Sequence, residues 1–260
     1  VGKELLGSLE LNRIYQMDCL EGMKLIPNES IDIILCDLPY GTTEAKWDSI
    51  IPIDKLWIQY ERIIKPDGAI VLTASQPFTT KLIQSNYGLF KYEWIWVKSK
   101  PTGFINAKNA PLKKHENVLV FSKGATANRS PRNMKYFPQD LKPLGKKKKS
   151  KNNPDDIFGT RPSRNNDGYV QEFTGYPDSI LEFASESKTV HPTQKPLALF
   201  EYLIKTYTNE GDIVLDNCMG SGTTAVAALK NNRKFIGFET ESKYIEVANK
   251  RIDSIYNEIV

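Results

Sequence analysis

The sequence is poor in the residues that staple or anchor a fold. It has only three cysteines, Cys19, Cys36 and Cys218, far apart and without CxxC spacing. That pattern excludes a zinc ribbon or a disulfide framework and fits a reduced, cytoplasmic setting; no metal site is expected. No apolar run approaches the ~18 residues of a membrane span, and Val1 to Asn12 lacks the apolar stretch of a signal peptide. The charge excess is only +4, weak support for a nucleic-acid partner. What remains is ordinary globular composition, 40% hydrophobic and 25% charged. Its 260 residues suit one large domain with a substantial insertion.

Along the chain, strand and helix signals alternate. Arg13 to Gln16 is a short strand before Asp18, and Leu20 to Ile26 is helical. Ile31 to Cys36 (IDIILC) is a mostly β-branched apolar run, the pattern of a strand buried on both faces of a parallel sheet. Helical spacing over Ile53 to Ile64 is followed by a strand at Ala69 to Thr73, a helix at Gln76 to Ser85, and strands at Tyr92 to Lys98 and Asn117 to Ser122. Regularity resumes at His191. A helix at Leu197 to Thr206 precedes a strand at Ile213 to Leu215, a helix at Ala225 to Lys230, a strand at Lys234 to Phe238 and a closing helix at Ser242 to Tyr256.

Between these halves, residues 124–188 are polar and weakly periodic, so the segment is expected to be functional or disordered. Residues 124–166 hold eleven Lys or Arg against three acids, a surplus larger than that of the whole chain. The domain expectation is therefore a catalytic domain of residues 1–123 and 189–260, and a basic insertion of 124–188. Lys146, Lys147, Lys148, Lys149 and Lys151 are its candidate phosphate contacts; a solvated loop accounts for the same run.

Two loops carry chemistry. The first is Asp37-Leu38-Pro39-Tyr40, at the end of an apolar strand. Pro39 fixes its own φ and pushes Leu38 toward extended backbone. One carboxylate and one carbonyl together suit an exocyclic NH2, a double donor whose lone pair is delocalised into its ring. Accepting both hydrogens localises that lone pair toward an incoming methyl group, and Tyr40 is available to stack on the base. The second is Asp216-Asn217-Cys218-Met219-Gly220-Ser221-Gly222-Thr223-Thr224, a strand–Gly-x-Gly–helix turn that brings backbone N–H groups to a ligand. Glu239 ends the next strand, as an acid that takes ribose hydroxyls does. Taken singly, each loop also fits a plain turn.

Together the loops resemble the amino-methylating DNA methyltransferases that use S-adenosylmethionine. DLPY (37–40) matches their D/N/S-P-P-Y/F motif and DNCMGSG (216–222) their cofactor motif; HPTQKP (191–196) and MDCLEGM (17–23) fall where this group carries similar segments. The order, catalytic motif first, resembles the β group. The likeness covers most of the chain outside 124–188.

The resemblance implies an α/β Rossmann-like fold, a seven-stranded mostly parallel methyltransferase sheet with helices on both faces. The sheet would be circularly permuted, with Arg13 to Gln16 beside the strand that ends at Glu239, and 124–188 as the target-recognition insertion. It implies S-adenosylmethionine as cofactor. Asp216, Cys218, Gly220, Ser221, Gly222 and Thr223 would hold the methionine end, Glu239 the ribose, Asp18 and Cys19 the adenine, while Thr193, Gln194 and Lys195 close the pocket. Asp37, the Leu38 carbonyl, Pro39 and Tyr40 would hold a base flipped from double-stranded DNA. Leu38 stands where the family usually has a first proline, which removes one constraint on the turn.

Asp37 in the first motif position resembles the adenine-N6 enzymes, whereas N4-cytosine enzymes usually have Ser. N4-cytosine is thus the first alternative. A glutamine or RNA methyltransferase usually has the reverse motif order, and the intact pairing of Asp37 with Gly220 and Gly222 argues against the remaining alternative, a non-catalytic DNA-binding partner subunit. A cytosine-C5 enzyme needs a Pro-Cys pair, and none of the three cysteines follows a proline. His115 beside Glu116 has the form of an acid/base pair, but a structural or DNA-side role is preferred. Trp94 and Trp96 read as core. Members of the group often form homodimers, and a cognate restriction enzyme is the partner expected in a restriction-modification setting.

Overall fold

The structure, a computed structural model, describes residues 3–41, 50–128, 130–150, 169–186 and 194–259. Thr193, Lys151 and His191 lie outside them. A small hairpin, β1 (Leu5–Leu6) and β2 (Leu9–Glu10), precedes β3 (Arg13–Gln16), α1 (Cys19–Lys24), β4 (Ile31–Asp37), α2 (Ile53–Ile63), β5 (Ile64–Ala74), α3 (Phe78–Ser85), β6 (Phe90–Thr102) and β7 (Lys113–Phe121). After β8 (Lys142–Ser150), β9 (Tyr169–Thr174) and β10 (Ile180–Glu182) come α4 (Leu197–Tyr207), β11 (Ile213–Asp216), α5 (Thr223–Lys230), β12 (Lys234–Glu239) and α6 (Ser242–Ile259).

The main sheet runs β10-β6-β7-β5-β4-β11-β12-β3. Every pairing is parallel except those of β7, which is antiparallel to both β5 and β6. β4 lies near the centre because its sequence is apolar on both faces. Ile33 and Leu35 enter one core with residues of α4, α5 and α6, while Ile34 and Cys36 enter the other with residues of α1, α2 and α3. The expected permutation is present: β12 pairs with β3, from Ile236 opposite Arg13 to Glu239 opposite Gln16.

Among the described residues the sheet has eight strands; β10 adds the edge strand beyond the expected seven. Three residues are too few to show an alternation, although Leu181 is buried. β6 and β7 also run further than expected. The chain divides into two compact units, residues 1–137 with 179–260, and Pro138–Asp178. The second is narrower than 124–188. Met134 enters the main core, and β10 belongs to the main sheet. Within the second unit β8 and β9 pair antiparallel, so the backbone of Lys146, Lys147, Lys148 and Lys149 is strand where the sequence suggested irregular chain.

At the end of the sheet where β4 begins, Asp32 is buried, 1% exposed. Its carboxylate accepts from Lys65 Nζ at 2.8 Å, Lys135 Nζ at 2.7 Å and the Ile213 amide at 3.0 Å. Burial alone would raise its pKa, but the Ile213 amide and the two ammonium groups outweigh it and hold the carboxyl below its usual value. Asp32 therefore ties β4 to β5, β11 and the 124–137 segment. A folded pKa below the unfolded one contributes stability above the unfolded value near ~4, lost as pH falls through the folded value. Asp32→Ala removes the buried carboxylate shared by Lys65, Lys135 and the Ile213 amide, and leaves Lys135 only its pair with Asp212. It is expected to cost about 3 kcal/mol at pH 7, with the deficit narrowing below about pH 4, as read from denaturant melts across pH.

Candidate active site

Parallel strands bring their carboxyl ends to one edge of the sheet, so β4, β11 and β12 deliver Asp37, Asp216 and Glu239 there. A cavity of about 550 Å³ opens at that edge, within the size range of ligand pockets. Both motif loops line it, with Met17, Asp18, Cys19, Gln194 and Lys195.

The cofactor-like loop is held by its own acids. Asp216, 3% exposed, accepts from the Cys218 amide at 3.0 Å and from Thr224 Oγ1 at 2.5 Å. Burial pushes its carboxyl up to about 6, against those hydrogen bonds. Glu239 accepts from the Gly220 amide at 2.8 Å through one oxygen and from the Thr240 and Glu241 amides, both at 2.9 Å, through the other. Gly220 and Gly222 take φ of +51° and +81°, which a side chain would strain. A Cβ on Gly222 would also stand 2.7 Å from that of Ala248, so this glycine seats α5 against α6. A Cβ on Gly220 would meet only the Cys218 carbonyl, at 3.9 Å, and the backbone there faces open volume.

The Asp37–Tyr40 loop is held chiefly through Asp37. One carboxylate oxygen accepts from Tyr40 Oη at 2.9 Å and from Thr73 Oγ1, and the other from Lys195 Nζ at 2.6 Å. Lys195 is itself buried and stands 3.4 Å from Glu116 Oε2, while Glu116 Oε1 accepts from Lys98 Nζ at 2.7 Å. Glu116 Oε2 is buried and makes no closer hydrogen bond; the ion pair is its compensation. Burial would lower the Lys195 pKa, yet the two carboxylates raise it, so it remains an ammonium. Burial likewise raises Glu116, and Lys195 and Lys98 bring it below its usual value. The Tyr40 ring is tilted on Phe78 at 5.3 Å, and burial beside Asp37 keeps its hydroxyl protonated.

A family model described as DNA methylase, covering N6 and N4 methyltransferases, matches residues 31–250. The chain belongs to this DNA methylase family. It is 31% identical to the type II methyltransferase M1.MboII of Moraxella bovis, over 93% of this chain and 96% of that one. It is 30% identical to the DNA adenine methyltransferase YhdJ of Escherichia coli, over 94% and 83%. In structure it is similar to M1.HpyAVI in its SAM complex, with a TM-score of 0.60 and 28% identity over 92% of this chain and 98% of that one.

In this DNA methylase the expected residues of the two loops line the cavity except Gly222, which packs against Ala248 of α6. Ser221 and Thr223 add the cavity wall under Arg251, whose Nη1 donates to the Ser221 carbonyl at 2.7 Å and reaches Thr223 Oγ1 at 3.2 Å. Asp18 caps α1, one oxygen accepting from the Leu20 and Glu21 amides. Lys195 lines the cavity and directs its ammonium to Asp37. Leu38 replaces the missing proline constraint in another way: it is 4% exposed and belongs to the core on the α1–α3 side of the sheet.

Sequence reasoning missed Thr73, Phe78, Lys98 and the inward role of Glu116. β7 has no alternation in sequence that would have flagged Glu116; in the structure it is partly buried while His115 beside it is exposed. Distance in sequence also hid the grouping of the cysteines. Cys19 and Cys36 each interact with Cys218 beneath the cofactor-like loop. Burial pushes the Cys36 thiol up to about 12, and the other two are raised as well, so none supplies a thiolate. Among the described residues no group of three or more His, Cys, Asp or Glu is arranged to hold a metal ion. No helix among them is long and apolar enough to cross a membrane.

Lys195→Met would leave Asp37 and Glu116 facing each other without their shared cation. The loss is expected to be about 3 kcal/mol at pH 7.5. Glu116 would keep Lys98 but lose its other cation, so its pKa would be held down less and the stability it contributes above the usual carboxyl range would be smaller. The gap to wild type should therefore shrink toward pH 4, which thermal melts across pH would register; a gap constant with pH would contradict the shared-cation account.

Proposed function

We propose that this DNA methylase is a site-specific DNA methyltransferase that binds S-adenosylmethionine and methylates N6 of an adenine flipped out of double-stranded DNA. The observation that carries the reading is the meeting, in one cavity, of the Asp37–Tyr40 loop and the Gly-x-Gly loop with its two acids. The SAM complex of M1.HpyAVI and the adenine activity in the name of YhdJ support it from outside.

The cavity fits the cofactor. Open backbone at Gly220 suits the methionine end, and Glu239, already fixed by three amides, offers its remaining lone pairs to ribose hydroxyls. Only one oxygen of Asp18 is engaged in the helix cap, which leaves the other for the adenine amine. Bound there, S-adenosylmethionine supplies an electrophilic methyl group on a sulfonium.

The chain's own residues prepare the acceptor nitrogen. A carboxylate offers about four acceptor positions. On Asp37, Tyr40, Thr73 and Lys195 take three, leaving one for an exocyclic N–H. The Leu38 carbonyl takes the second hydrogen, and the lone pair is pulled out of the ring toward the methyl group. Lys195 fixes the Asp37 carboxylate from its second oxygen, so the acceptor is preorganised before the base arrives. Asp37 supports adenine over cytosine only through its likeness to the adenine enzymes; the same geometry serves N4.

Labelled methyl transfer to unmethylated genomic DNA, followed by nucleoside analysis, tests this directly. N6-methyladenine is expected from wild type, and at least ~100-fold less from Asp37→Ala. N4-methylcytosine would keep the mechanism and overturn the base, and methyl transfer to protein or RNA alone would overturn the reading.

The Asp216 carboxyl also sets a pH dependence. Its raised pKa favours the fold below the unfolded value near ~4, a contribution lost as pH rises through about 6. A cationic cofactor prefers the ionised form, so affinity should climb from pH 5 to 7 and then level, with the climb flattened in Asp216→Asn. Titration calorimetry would check this, and an equal climb in both proteins would reject the assignment.

A further inference from the structure

β6 runs parallel to β5 and β4, so it leaves the sheet at the same edge that carries Asp37 and Asp216, and β7 returns from it. Trp96, Lys98 and Glu116 of this pair line the cavity. Beyond the Val97–His115 pair the register shifts, and the two strands continue as a ribbon to the Thr102–Lys113 pair. From Trp96 to Gly103 the ribbon can reach at most roughly 23 Å, at ~3.3 Å per residue.

The tip is built rather than loose. Gly103 turns the chain at φ +92°, and the Asn106, Ala107, Asn109 and Ala110 amides donate to carbonyls three or four residues back. Two large apolar side chains are nevertheless held out into solvent: Phe104 is 65% exposed and Ile105 is 100% exposed. Neither serves the core. Residues 94–115 carry five lysines and no acid. Lys98 is paired with Glu116, but among the described residues Lys100, Lys108, Lys113 and Lys114 have no ion-pair partner. A cationic ribbon with an apolar, ordered tip favours a polyanion that presents both phosphates and stacked rings. A protein surface does not call for a charge set of one sign.

We propose that the β6–β7 tip, residues 103–112, enters a groove of the target duplex beside the catalytic cavity, with the flanking lysines on phosphates and Phe104 and Ile105 against the bases. The major groove admits a two-stranded ribbon, and apolar side chains there meet thymine methyl groups or base steps. The basic insertion is one candidate DNA-binding element; the ribbon is a second, in the catalytic unit. It rests on the DNA methyltransferase reading, deepening it by naming the surface.

The test uses the full chain, with duplex affinity by fluorescence anisotropy, methyl-transfer kcat/KM and S-adenosylmethionine affinity measured together. Phe104→Ser with Ile105→Ser removes only exposed groups. It should weaken duplex binding and kcat/KM at least about tenfold while cofactor affinity and Tm stay unchanged. Lys100→Ala, Lys108→Ala and Lys114→Ala combined should reduce the slope of log affinity against log salt by about 2 to 3, at roughly 0.9 for each phosphate no longer neutralised. A wild type active on DNA with both variants equally good would overturn the hairpin assignment alone. So would apolar variants that lose self-association but keep DNA binding, which would give the tip to a second copy. A wild type that neither binds nor methylates DNA would overturn the underlying reading and the hairpin with it.

Discussion

One buried ammonium holds the catalytic edge together. Lys195, just ahead of α4, bridges Asp37 at the end of β4 and Glu116 on β7, so a single cation joins three parts of the chain that are far apart in sequence. Without it two carboxylates would face each other with only Lys98 to offset them. With it, Glu116 is held below its usual carboxyl range and Asp37 is fixed from both oxygens. Lys98 completes the neutralisation from the other side of Glu116. The proposed amine acceptor is thus set by a charge balance that lies mostly outside the four-residue motif.

The cofactor side follows a complementary logic. Its two acids direct their oxygens to nearby backbone amides and to Thr224, which helps fix the glycine turn. The cost appears at Asp216, where burial outweighs its hydrogen bonds and raises its pKa. A cationic ligand relieves that cost, so the electrostatic strain of the loop is aligned with the binding it serves.

Much of this was legible in the sequence. IDIILC is apolar at every position but one and became a central strand with a core on each face; the permuted pairing of β3 with β12 followed from motif order. Strand ends placed both loops at one edge. What was not legible depends on tertiary approach. Thr73 is an ordinary strand residue until β5 lies beside β4 and brings its hydroxyl to Asp37. Glu116 looked like half of an acid/base pair, and only the pleat of β7 turns it inward and His115 outward. The extension of β6 and β7 and the short β10 lack apolar alternation, because their residues face solvent or are too few to show a period. Leu38, read as a lost constraint, is held by burial instead.

The central claim is that the two loops form one site, with the sulfonium side of the cofactor turned toward Asp37 and the Leu38 carbonyl. A crystal structure with S-adenosylhomocysteine tests it most directly. The account predicts the ribose hydroxyls on Glu239, the homocysteine tail along the Gly220 backbone, and the sulfur facing Leu38 with the Lys195–Asp37 pair intact. A ligand bound elsewhere, or one whose sulfur points away from the Asp37 loop, would contradict it.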